Sequence, residues 1–128
     1  MNKTIISTNN APQAIGPYSQ AVRTGQMIFT AGQIGLIPST GNIIQGGIEA
    51  ETEQVLKNIK NILEAAGSGM DQIIKTTVYL NDMNDFGSMN EIYKSYFASE
   101  PPARSTIQVS ALPKGALIEI DVVALLRD

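Results

Sequence analysis

Two stretches of the chain repeat their apolar residues at three- and four-residue steps. From Ile48, the positions Ile48, Val55, Ile59, Ile62, Leu63 and Ala66 fall on one side of a helix. Glu49, Glu53, Lys57, Lys60 and Glu64 fall on the other. Glu49, Glu51 and Glu53 crowd the first turn, where the helix dipole favours negative charge. Gly67 stands where a left-handed cap would end the helix. A second helix is predicted over 84–98, with Phe86, Met89, Tyr93, Tyr96 and Phe97 on its apolar side. Pro101-Pro102 would stop it, because neither ring nitrogen can donate and each proline pushes its predecessor out of the helical region.

Strand patterns lie elsewhere. Residues 27–31 follow a turn at Thr24-Gly25, and residues 73–80 alternate and are rich in β-branched side chains. Residues 105–110 form a shorter run, and 117–126 a long apolar one broken only by Glu119 and Asp121. The order of strands, helix, strand, helix, strands predicts one α+β domain over 1–128, with two helices on one face of a mixed sheet. The segment 38–42, with Gly46-Gly47 beyond it, reads as loop. The last strand is apolar on both sides of its pleat: Ile118, Ile120, Val122, Ala124 and Leu126 on one, Leu117, Val123 and Leu125 on the other. One side can pack on the helices. The other needs a surface that this chain has no further element to supply, so self-association is expected, the alternative being an edge strand.

The 128 residues include neither cysteine nor histidine. That excludes disulfides, thiolate and imidazole chemistry, and an ordinary zinc site; no cofactor is expected. Acid–base work falls to carboxylates, lysine, tyrosine or water. Nine basic residues against twelve acidic ones give a net charge of −3, and the bases are scattered, which argues against nucleic acid as a partner. No apolar run approaches the roughly 20 residues of a membrane helix. The polar opening Met1-Asn2-Lys3-Thr4 lacks the long apolar stretch of a secretion signal, so a cytoplasmic location is expected.

The reactive inventory is short. Of three arginines, Arg127 near the end and Arg23 before a turn read as solvated surface charges. Arg104 follows Pro101-Pro102-Ala103, a stiff mount, and opens a strand. There it is either a surface arginine or a planar fork for a carboxylate. Glu119 interrupts apolar neighbours, so it lies on a solvated acidic edge with Asp121 or is enclosed beside a water that it could orient or deprotonate. Along a strand these two acids stand too far apart for a closed Ca²⁺ or Mg²⁺ cage. Ala31-Gly32-Gln33-Ile34-Gly35 lacks the phosphate-loop pattern. Gly32 is a bulge glycine or a point of close backbone approach to a ligand, and Tyr18, in the turn 16–19, lines a pocket or caps the core.

Several segments, in order along essentially the whole chain, resemble the RidA (YjgF) family. They are Ala14-Ile15-Gly16-Pro17-Tyr18-Ser19-Gln20-Ala21, Phe29-Thr30-Ala31-Gly32-Gln33-Ile34-Gly35, Asn84-Asp85-Phe86 with Met89-Asn90-Glu91-Ile92-Tyr93, Pro102-Ala103-Arg104-Ser105-Thr106-Ile107, and Ile118-Glu119-Ile120. The resemblance implies a chorismate-mutase-like α+β fold, a homotrimer, and ligand clefts between subunits. It implies hydrolysis of 2-iminobutanoate, 2-iminopropanoate and their enamines to 2-oxo acids and ammonia. Such intermediates are shed by pyridoxal-phosphate enzymes such as threonine dehydratase. By position, Arg104 matches the carboxylate-binding arginine and Glu119 the glutamate near the hydrolytic water. Tyr18 and Gly32 match cleft positions, and Phe86 and Thr106 the cleft wall. Ala31, expected with Gly32 among the substrate-binding positions, stands where relatives often carry serine, and Thr106 where some carry cysteine. The rival expectation is a non-catalytic trimer that binds 2-oxo acids or a protein client. A ribonuclease role, also attached to the family, sits badly with the acidic balance.

Overall fold

The strands are β1 (Lys3–Ile6), β2 (Ala21–Thr24), β3 (Met27–Thr30), β4 (Ile73–Leu80), β5 (Ala103–Gln108) and β6 (Ile118–Leu125), and the helices α1 (Gly47–Ala65) and α2 (Phe86–Tyr96). In the computed structural model of the chain, which describes residues 2–128, the six strands form one sheet in the order β1-β2-β3-β6-β4-β5. Met1 of the polar opening lies outside the described residues. All pairings are antiparallel except β4 with β5, which α2 joins as a β-α-β crossover. The chain has the expected α+β architecture, with α1 and α2 packed on one face.

The last strand in sequence is central in space, between β3 and β4, which is why it is so apolar. Ile118, Ile120, Val122 and Ala124 are buried with Ile28 and Val78 against Val55, Leu56, Ile59, Ile62 and Leu63 of α1 and Met89 and Tyr93 of α2. The opposite face carries Ile5, Val22, Phe29 and Val123 in one cross-sheet row, and Ile5 and Phe29 are exposed. No helix among the described residues is long and apolar enough to cross a membrane.

Several boundaries differ from those expected. Four strands are predicted and six form: β1 and β2 are four residues each, and β1 is mostly exposed, so neither carries a buried pattern. The run expected at 105–110 starts two residues earlier, and the one expected at 117–126 is shorter at both ends. α2 begins after a 3-10 turn (Met83–Asp85) that Asp82 caps through the Asn84 N–H, and it stops at Tyr96. Phe97 leaves helical geometry to bury its ring, so the prolines do not end the helix. Gly67, at φ 83, does follow α1 as expected, and Ser68 N–H closes the cap on the Leu63 carbonyl at 2.8 Å.

Candidate active site

Between Phe29, paired with Val123, and Gln33, paired with Ile120, the β3 side holds one more residue than β6. This is a β-bulge. The Thr30 hydroxyl accepts from Val122 N–H at 3.0 Å, and Gln33 exchanges two backbone hydrogen bonds with Ile120 at 2.9 and 3.0 Å. Gly32 sits inside the bulge, and a Cβ there would overlap Oε2 of Glu119. Gly32 is thus the bulge glycine, and the group lying against its backbone is a carboxylate of the protein itself.

Glu119 alternates with buried Ile118 and Ile120, so it faces away from the helices, opposite Tyr79 of β4. It is half-buried. Burial raises its carboxyl above the usual carboxylate range, and the charge of Asp121 adds to the rise. Asp121 itself accepts from the Tyr79 hydroxyl at 2.9 Å. Beside Glu119 lies a cleft of about 340 Å³ whose walls include Pro12, Tyr18, Gly32, Leu36, Lys114 and Glu119. The size is that of a small-molecule site. Tyr18 stands on a loop and is 52% exposed. Lys114, at φ 57, donates from Nζ to the Gly41 carbonyl at 3.1 Å, tying the 38–47 loop to the cleft wall.

Arg104 is built into a different place. It is the second residue of β5, an edge strand, and pairs with Thr76, whose hydroxyl is buried against Tyr93 of α2 at 2.8 Å. Its guanidinium lies over Tyr93, 4.6 Å from the ring centre, and is 5.3 Å from that of Phe86. Nη1 donates to Asn90 Oδ1 at 2.7 Å. A hollow of about 390 Å³ beside it is lined by Asn90, Tyr93, Phe97, Pro102 and Arg104 among others. Burial raises the Tyr93 phenol, opposed by its bond to Thr76 and by the Arg104 charge. The salt bridges among the described residues join Lys94 to Glu91 and Arg127 to Asp71, so Arg104 has no acidic partner.

Within one chain, then, Tyr18, Gly32 and Glu119 come together, and Arg104 and Phe86 come together, but the two groups do not meet. Arg104 lies on the helix side of the sheet and Glu119 on the open side. Thr106 shares the helix side with Arg104, being paired with buried Val78. Ala31 adjoins Gly32 without lining the cleft; its N–H is taken by the Gln20 carbonyl at 2.9 Å. No group of three or more acidic side chains among the described residues is arranged to hold a metal ion.

Asn90, Tyr93, Lys114 and Glu51 belong to these surroundings and are not among the site residues expected from sequence. Helical spacing places Tyr93 in the core, and Asn90 one turn before it shares its side; nothing in the pattern marks either as an arginine cradle. Arg127 is an exposed charge as expected; its guanidinium also binds Asp71 through both nitrogens, and its backbone N–H bonds the Gly67 carbonyl at 3.0 Å.

The six-stranded mixed sheet with two helices on one face defines a single-sheet α+β protein, with one hollow beside Glu119 and another beside Arg104. The sequence model described as Endoribonuclease L-PSP matches residues 8–126, and the chain belongs to that family, the YjgF/RidA proteins. It is 56% identical over 122 residues to a RutC family protein of Pyrococcus horikoshii, covering 95% of this chain and 97% of that one. To the human 2-iminobutanoate/2-iminopropanoate deaminase it is 54% identical over 123 residues, 96% of this chain and 90% of that one. The crystal structure of E. coli TdcF with bound serine superposes with a TM-score of 0.92 at 43% identity, covering 97% of this chain and 99% of the other.

Proposed function

We propose that this protein hydrolyses reactive 2-imino acids and their enamine tautomers, 2-iminobutanoate and 2-iminopropanoate among them, to 2-oxo acids and ammonia. The observation that carries the reading is Glu119, a half-buried carboxylate with a raised proton affinity, laid against a bulge glycine in a cleft of metabolite size. The deaminases at about 50% identity over nearly the whole chain support the same reaction.

An iminium carbon is already electrophilic, so holding it beside water supplies most of what is needed, up to roughly 7–11 kcal/mol of entropic barrier. Arg104 grips the substrate carboxylate with its two-nitrogen fork. Water adds through oxygen to the imine carbon while the C=N electron pair moves to nitrogen, and Glu119 takes the water proton. The carbinolamine nitrogen receives a proton and leaves as ammonia, as the remaining hydroxyl loses its own and becomes the carbonyl. The Gly32 carbonyl accepts from the iminium N–H, and Tyr18 closes the cleft. Phe86 and Thr106 wall the arginine side. Because Arg104 and Glu119 lie on opposite faces of one sheet, the working site joins the Arg104 hollow of one subunit to the Glu119 cleft of the next, in a homotrimer. The apolar row Ile5, Val22, Phe29 and Val123 is the seam.

The test couples the purified protein to threonine dehydratase and follows disappearance of the imine. The wild type accelerates it and Arg104→Ala does not. If both leave the spontaneous rate unchanged while 2-oxobutanoate still binds, the protein is a binding module and not a deaminase. Arg104→Lys is expected to fail nearly as badly as Ala, because a point charge cannot replace the planar fork.

A further inference from the structure

Among the described residues Glu51 is the one acidic residue that the fold buries, at 5% exposure, although it sits between exposed Glu49 and half-buried Glu53 in the first turns of α1. Its Oε1 accepts a hydrogen bond from Leu117 N–H at 2.9 Å. That amide lies outside β6 and has no backbone partner, whereas the Leu117 carbonyl is held by Asn81 N–H at 3.0 Å. On the other side of Glu51, Gly35 approaches so closely that a Cβ there would lie 3.1 Å from the Glu51 Cα. Glu51 therefore touches two of the three chain segments that make the cleft: the one carrying Gly32, Ile34 and Leu36, and the one carrying Pro113, Lys114 and Glu119; the third carries Pro12 and Tyr18. Burial raises its carboxyl, the hydrogen bond from Leu117 N–H works against that rise, and the charge of Asp85 adds to it.

We infer that Glu51 is a positioning residue for the cleft, its carboxylate clamping Leu117 so that Glu119, two residues on, is held against Gly32. The inference rests on the function proposed above, in that Glu119 is taken to handle the water. Asn58, also buried on α1, works alongside it by donating to the Leu36 carbonyl at 3.0 Å and the Ile34 carbonyl at 3.5 Å. Helix α1 thus holds the back wall with an amide and the Glu119 side with a carboxylate. The Arg104 hollow is built on α2 and β5 and shares no residue with this clamp.

The separation of the two halves fixes the test. Glu51→Met keeps the volume and deletes the acceptor, Glu51→Ala deletes both, and Glu51→Gln keeps an oxygen for Leu117. Deleting the acceptor is expected to lower kcat roughly 10- to 100-fold, the scale of a small misplacement of a reacting group. Affinity for 2-oxobutanoate should stay within about twofold, because the carboxylate grip is untouched. Glu51→Gln should restore kcat. Ile59→Val, buried in the same helix, reports what simple destabilisation does, and kcat should not follow it. Two readouts need no turnover: hydrogen exchange of the Leu117 amide and the carbon-13 titration of the Glu119 carboxyl. Both should change in Glu51→Met and Glu51→Ala and return in Glu51→Gln. Wild-type kcat with wild-type Glu119 titration in the acceptor-deleted variants overturns the clamp, and so does a Gln variant as defective as Met. An inactive wild type would sink the proposed reaction instead, leaving exchange and titration to judge the clamp.

Discussion

Glycine at position 32 lets a carboxylate rest against the sheet where pairing slips by one residue. Any Cβ there occupies the Oε2 position of Glu119, so Gly32→Ala must push the carboxylate away. Imine hydrolysis is expected to fall at least roughly tenfold, with the fold intact by circular dichroism. The raised proton affinity of Glu119 has two further consequences. Only the ionised form can take a proton from water, so the acid limb of kcat should lie above the ordinary carboxylate range. For stability the sign is opposite: a group whose folded pKa is raised favours the fold at pH below its ordinary value, and loses that contribution as pH rises through the folded value. At neutral pH the charged Glu119 is therefore a burden. Glu119→Gln should abolish turnover yet melt at a higher temperature than the wild type at pH 7, with the gap closing towards pH 4; a lower melting temperature at pH 7 would contradict the burial of the charge. An acid among isoleucines, an arginine after two prolines and a glycine where a strand should run on draw notice in sequence, but each fits a plain structural reading equally well, and only the family resemblance gives them a role. Glu51 offered no such contrast, since Glu49 and Glu53 beside it look the same and only folding shows which one turns inward.

At the scale of elements, α2 and the β4–β5 pair form a mount for one guanidinium. Asn90 fixes its Nη1, the rings of Tyr93 and Phe86 flank it, and the hydroxyl pair of Tyr93 and Thr76 pins the nearer ring to the sheet. Removing one partner of a buried polar pair costs about 1–3 kcal/mol, so Thr76→Val should destabilise by that order in urea titration. Because the ring it frees supports the proposed carboxylate-binding group, substrate affinity should weaken more than kcat; the reverse pattern would place Tyr93 outside the binding of substrate. Both helices follow from their apolar spacing, since each buries a full stripe: Val55, Leu56, Ile59, Ile62 and Leu63 on α1, Met89 and Tyr93 on α2. β1 and β2 escape notice because four residues at a sheet margin bury too little to leave a pattern. The arginine mount escapes for a different reason. Its parts come from three elements, and side chains that serve the core, as Tyr93 does, look no different in sequence from those that also hold a charge.

At the scale of the whole molecule, the proposed pairing of Arg104 with Glu119 is one that a single chain cannot make. The sheet separates Arg104 from Glu119, and the face bearing Glu119 also bears exposed Ile5, Phe29 and Ile107, a surface of the kind that seeks a partner. A trimer built on that face would address both, and it makes a prediction that no single-chain site could satisfy. Arg104→Ala and Glu119→Ala should each be inactive alone. Unfolded together in equal amounts and refolded, they assemble at random, and a site needs an intact arginine from one chain and an intact glutamate from its neighbour. Each condition is met half the time, so the mixture should recover roughly a quarter of wild-type activity. Phe29→Asp, on the proposed seam and lining neither hollow, should abolish that recovery and run as a monomer in light scattering, its charge having no place in a dry interface. Activity in the mixture no higher than in either parent would mean that the two residues act within one chain, and the opposition of faces across this sheet would then have to be bridged by some route other than a neighbour.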